Sequence, residues 1–144
     1  MTDPHRRLLL SLKPPYADAI LNGAKTIELR RTRPRIEVPT EALIYASSPT
    51  CAVVGTCNVA EVLEYTPSGL WRLHGRRTSI DYQTFRTYFA GCETAYGLVI
   101  TDPHQLGKPI TLERLRNRWH GFQPPQSFRY LSTSTSDRVL SMAS

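Results

Sequence analysis

The chain has 144 residues, 40% of them hydrophobic, and 18 Lys and Arg against 12 Asp and Glu give it a formal net charge of +6 at pH 7. That is the length of one domain, able to bury roughly 68–70% of its unfolded surface, and no apolar run approaches the ~20 residues of a membrane span. The apolar stretch that follows Arg6 and Arg7 is interrupted by Ser11 and Lys13 and has no small-residue cleavage site after it, so no signal peptide and a cytoplasmic location are expected.

Cys51, Cys57 and Cys92 show no CxxC spacing, and His5, His74, His104 and His120 stand far from them. That pattern speaks against a structural zinc site, an odd cysteine count speaks against a disulfide framework, and neither metal nor cofactor is expected. The positive charge attracts polyanions. It is concentrated in Arg30, Arg31, Arg33 and Arg35, again around Arg72 to Arg86, and again around Arg114 to Arg129. Arginine outnumbers lysine, which suits bidentate phosphate contacts and stacking on bases; a solvated basic surface is the plainer alternative.

In chain order, residues 7–12 are almost continuously apolar and read as a buried strand ended by Lys13-Pro14-Pro15. Tyr16, Ala17, Ile20 and Leu21 then follow helical spacing over about 14–22, with prolines tolerated at the start and Gly23 placed as the C-terminal cap. Over 25–30 the pattern alternates, with Ile27 and Leu29 on one face and Thr26, Glu28 and Arg30 on the other. Strands are expected at 41–47 and over 52–65, the second bending at Gly55 to help close a barrel. Pro67-Ser68-Gly69 should end the strand run, and 70–90 should hold two short helices split at His74-Gly75. A strand at 96–101, a short helix at 111–118 with Thr111 as N-cap, and a last strand at 127–131 complete the domain. Residues 132–144 are Ser/Thr-rich with little to bury and are expected to fray, leaving 1–131 as a single domain. There is no GxGxxG, no P-loop and no internal repeat. The economical architecture is α+β, a small mixed or antiparallel β-barrel decorated by short helices.

The informative stretch is LSLKPPYADAILNGAKTIELRR, residues 10–31. Lys13 and Lys25 bracket the short helix, and Glu28 and Arg30 lie two apart on one strand face. A desolvated Lys beside a Glu can serve as general base or electrophile, the same residues can form an anion or nucleotide cleft, and they can equally be a salt-bridge network joining helix to barrel.

These residues carry a resemblance to the ASCH family, related in fold to PUA domains. Its GxKxxExR pattern is met by Gly23, Lys25, Glu28 and Arg30, and LSLKPPYADAIL, LIYAS, VVGTCNVAEV and PPQSFRYL resemble, in order, its opening strand and helix, next strand, long strand and closing strand. The resemblance runs over about 7–131 and implies a PUA-like barrel whose cleft, beside the first helix, binds RNA or acts on nucleotides. One bacterial branch hydrolyses acetylated cytidine with a lysine, a threonine and a glutamate, and another has ribonuclease activity. Lys25 matches that lysine by position, but Glu28 stands in the threonine's place, and the only acid within 71–88 is Asp81.

The expected role is therefore an RNA- or nucleotide-binding module. The alternatives are a metal-independent hydrolase with Lys25 and Glu28 as catalytic residues and a protein-interaction adaptor. Candidate ligand contacts are Lys13 and Tyr16 at the helix, and Lys25, Thr26, Glu28, Arg30 and Arg31 along the strand, with Ser127 on the closing strand. Trp71, Trp119, Tyr88 and Phe89 could stack on bases, although core packing is the plainer reading, and His74 and His120 read as surface histidines.

Overall fold

The computed structural model describes residues 6–143; His5 and Ser144 lie outside the described residues. The strands are β1 (Arg6–Leu12), β2 (Ile27–Arg30), β3 (Thr40–Ala46), β4 (Ala52–Tyr65), β5 (Ala95–Thr111) and β6 (Phe128–Ser132), and the helices α1 (Pro14–Leu21), α2 (Pro67–His74), α3 (Tyr82–Tyr88), α4 (Leu112–Arg118) and α5 (Thr133–Ser141). A 3₁₀ turn, Gly75–Thr78, links α2 towards α3. The six strands form one sheet in the order β2-β5-β4-β3-β1-β6, with β1 parallel to β3 and every other pairing antiparallel.

Alternation along β1 shows why both sheet faces are covered. Leu8, Leu10 and Leu12 pack with Ala42, Ile44 and Ala46 under α1, whereas Leu9 joins Leu43, Tyr45 and Val53 in a second cluster under α4 and α5. A third cluster places Ile27 and Leu29 of β2 against Leu70, Phe85 and Phe89 of the α2–α3 segment. Gly55 lets β4 pass close beneath α1 and β5, since a Cβ there would lie 2.5 Å from Leu21 Cδ2 and 2.6 Å from the His104 carbonyl oxygen.

Four expectations are corrected. The sheet is open: β2 and β6 are its two edges, and no backbone ladder joins them. The strand run ends at Tyr65 as expected, but the helix expected from residue 70 starts already at Pro67, because Thr66 caps it through Gly69 N–H at 3.1 Å and proline fits the first turn. β5 continues past Thr101 to Thr111, its polar second half held by pairing with β4 through residues such as Gln105 and Ile110. The C-terminal segment expected to fray is α5, capped by Ser132, whose hydroxyl accepts from Thr135 N–H at 3.1 Å, and anchored by buried Val139.

Candidate functional site

A cleft of about 920 Å³ opens where the ends of β1 and β3 meet β2, α3 and α4. Its formation follows from local chain geometry. Gly23, with φ of +86°, turns the chain out of α1, so that Lys25 returns to the helix's own flank, its N–H bonded to the Ala19 carbonyl at 3.0 Å. β2 then presents its apolar residues to the α2–α3 cluster and turns Glu28 and Arg30 to the cleft.

Lys25, Glu28 and Arg30 are 2%, 5% and 7% exposed, so three ionisable side chains make the floor of the cleft. Lys25 Nζ donates to the Thr78 carbonyl at 2.5 Å, lies 4.0 Å from Glu28 Oε2 and stands over the Tyr16 ring at 5.2 Å from its centroid. Arg30 Nη2 is 3.7 Å from Glu28 Oε1 and donates to the Ser11 carbonyl at 3.4 Å, a side-chain bridge between β2 and β1, two strands that do not pair in the sheet. Burial pulls the Lys25 pKa below its ordinary 10.5, Glu28 pushes it back up, and Arg30 lowers it. Glu28 Oε2 and Arg30 Nε are buried without a hydrogen-bond partner, which leaves one acceptor and one donor in the floor for an incoming group.

The walls carry aromatic and basic groups. Tyr88 donates its hydroxyl to the Leu29 carbonyl at 3.3 Å, and its pKa is raised by burial. The Arg31 guanidinium lies 4.3 Å from the Tyr88 ring centroid and donates to the Tyr88 carbonyl at 2.7 Å. Opposite, Arg116 of α4 donates to the Phe122 carbonyl at 3.2 Å.

Of the residues singled out from sequence, Lys13, Tyr16, Lys25, Glu28, Arg30 and Arg31 line one cleft. Thr26 and Ser127 are not in its lining. Thr26 precedes β2 and turns to the 3₁₀ side, where its N–H bonds the Arg77 carbonyl at 2.9 Å and its hydroxyl accepts from Arg77 Nε at 3.1 Å. Ser127 offers its carbonyl to Ser11 N–H at 2.9 Å, and the lining is taken over by Gln126. Trp71 packs on Tyr82 and Phe85, and Phe89 is buried, leaving Tyr88 as the member of that aromatic group that reaches the cleft.

Sequence reasoning missed Tyr45, Ser47 and Cys51 around the β3–β4 turn, the polar face of α3 (Gln83, Thr84 and Thr87), and Arg116. These come from elements distant in sequence, and only Arg116, in a helix that reads clearly, carried a local signal. Burial raises the Tyr45 pKa to about 12, with Cys51 adding to the rise. Among the described residues no three His, Cys, Asp or Glu side chains gather into a metal-holding group, and no helix is long and apolar enough to cross a membrane.

The ASCH domain family model matches residues 10–124. The chain belongs to the ASCH family. An ASCH domain-containing ribonuclease of Zymomonas mobilis is 35% identical over 146 aligned positions, spanning 100% of this chain and 98% of that one. The crystal structure of ASCH from Zymomonas mobilis superposes with a TM-score of 0.89 at 32% identity, covering 94% of each chain. Human THYN1 protein, solved in complex with 5-methylcytosine containing DNA, shares the fold at a TM-score of 0.60 and 12% identity, covering 96% of this chain and 97% of that one. The α+β class expected for an ASCH domain therefore holds, with the sheet open.

Proposed function

We infer that this ASCH domain binds RNA in the cleft over Lys25, Glu28 and Arg30 and cleaves it. The observation that carries the reading is the cleft floor itself: two cations and one carboxylate, buried, with Glu28 Oε2 and Arg30 Nε lacking hydrogen-bond partners, beneath a rim that holds Lys13, Arg31 and Arg116. A floor with a formal charge of +1 favours a phosphate, and the rim extends that attraction along a backbone. In cleavage by the neighbouring 2′-hydroxyl, a bond from O2′ to phosphorus forms as the bond to O5′ breaks, the O2′ proton passing to water and O5′ taking a proton from water. Negative charge builds on the non-bridging oxygens, and pre-positioned cations in a partly dry site stabilise it. Lys25 and Arg30 supply the cations, and Glu28 keeps them together. The similarity along the whole chain to a protein named as a ribonuclease supports cleavage over binding alone.

The test incubates purified protein with end-labelled single-stranded RNA and with DNA of the same sequence. The expected outcome is RNA fragments that accumulate with time and disappear when Arg30 is replaced by Met. Intact RNA together with salt-sensitive binding would reduce the function to that of a binding module. Neither binding nor cleavage would remove the reading.

A further inference from the structure

A second depression, of about 420 Å³, lies between α4 and α5. Its base is apolar, from Leu115, Val139 and Met142, and its sides carry Arg118, Trp119 and Arg138. The guanidinium of Arg129 on β6 lies 4.7 Å from the Trp119 ring centroid, bringing a third positive charge to the same edge. Beneath it, Arg114 donates through Nη2 to the Met142 carbonyl, while its Nη1 is buried without a partner. Among the described residues no acid lines this groove; Glu113 and Asp137, on the same two helices, are exposed outside it.

The groove and the cleft are two sides of one segment. Leu112, Arg116 and residues 124–126 line the cleft, whereas Leu115, Arg118 and Trp119 line the groove. A polyanion held at Arg116 therefore has its next run of positive charge across α4. The cation-rich sides match a phosphate backbone, and the Trp119 ring and apolar base suit a stacked nucleobase.

We propose that the α4–α5 groove is a second RNA subsite, taking the part of a single strand that continues beyond the cleft, with Arg118 and Arg138 on its phosphates. The inference rests on the RNA-binding reading above and deepens it by extending the bound strand. Arg118 and Arg138 are both exposed, so replacing them leaves the core intact.

The experiment compares the wild type with the Arg118→Ala/Arg138→Ala double variant, using 2′-O-methylated RNA so that the probe is not consumed. Two probes are titrated over a range of salt concentrations: a tetranucleotide and an oligonucleotide of ~16 residues, the span of single-strand site sizes. The wild type should bind the longer probe more tightly and with the steeper salt dependence. The double variant should lose that excess, its slope flattening by about 1.4 for two phosphates at ~0.7 each, while its tetranucleotide affinity stays unchanged. The Arg118→Lys/Arg138→Lys variant should restore the slope. Equal affinity of the wild type for both lengths, or a double variant that keeps its long-probe slope, would overturn the second subsite and leave the cleft reading standing. Wild-type protein that binds neither probe would instead remove the cleft reading and this inference with it. Concentration-dependent self-association without RNA, abolished in the double variant, would assign the groove to a second copy of the chain and overturn the proposal.

Discussion

Glu28 sits between two cations that burial makes costly, and its carboxylate is what makes their proximity tolerable. Glu28→Gln keeps the shape and removes the charge, leaving Lys25 and Arg30 buried and mutually repulsive. The expected loss is about 3 kcal/mol in urea unfolding, the order seen when one partner of a buried ionic group is deleted. A loss below ~1 kcal/mol would show that the trio behaves like a solvated surface network. The same burial gives opposite pH dependences at two neighbouring groups. Lys25 has a lowered pKa in the fold, so the unfolded chain holds more protons between that value and 10.5, and stability gained at this site rises with pH across that window. Cys57 is pushed from 9.0 to about 12 by burial, with Glu28 and Glu41 adding to the rise. There the native state holds more protons, and stability falls as pH climbs above 9. By pH 10 the thiol contributes a loss of about 1.4 kcal/mol, one pH unit above the unfolded value. Denaturant titrations at about pH 8 and about pH 10 should show a smaller alkaline loss for Cys57→Ala than for wild type. Equal losses would mean that the Cys57 thiol is not held protonated by its surroundings.

The C-terminal helix shows how an element can be invisible in composition and yet specified. STSTSDRVLSMAS reads as a polar tail because its apolar residues are few, but Val139, Leu140 and Met142 fall on one side of a helix and meet the cluster of Leu9, Leu43 and Leu131. Five hydroxyl residues in a row at its start look like disorder, yet one of them, Ser132, is the N-cap. Ser132→Ala should therefore cost about 1 kcal/mol in thermal or urea unfolding, whereas a frayed tail would leave stability unchanged. Other elements were legible because their signals were local. Pro14, Pro15 and Gly23 bracket α1, Thr111 caps α4 through Arg114 N–H at 3.2 Å, and alternation placed Glu28 and Arg30 opposite Ile27 and Leu29. Thr26 followed the same alternation on paper and departed from it because it precedes β2 and is bonded by Arg77 instead. The second half of β5 has no hydrophobic periodicity to detect, since pairing with β4 rather than burial keeps it extended.

At the scale of the whole molecule, the open sheet and the placement of charge determine how the cleft would receive the RNA proposed for it. A partly closed barrel was a reasonable expectation from a run of short strands with a glycine bend. No local pattern reports whether the first and last strands of a sheet will pair; here the edges β2 and β6 do not, and Arg30 of β2 reaches instead to the Ser11 carbonyl of β1. The +6 net charge could have been spread for solubility. Instead Lys13, Arg31 and Arg116 come to the cleft from three separate elements, which makes the attraction local as well as global. If each of these rim cations neutralises one phosphate of a short single strand, the slope of log affinity against log salt is about −2, from ~0.7 per contact. A fourfold rise in salt then weakens binding roughly twentyfold. Fluorescence anisotropy with a labelled 2′-O-methylated tetranucleotide checks the value. Arg31→Ala and Arg116→Ala should each flatten the slope by about 0.7, and together by about 1.4. The cost should fall equally on different base sequences, because phosphate contacts position a strand without reading it. Affinity that hardly changes with salt would mean that the cleft takes an uncharged ligand, and the rim arginines would then be ordinary surface charge.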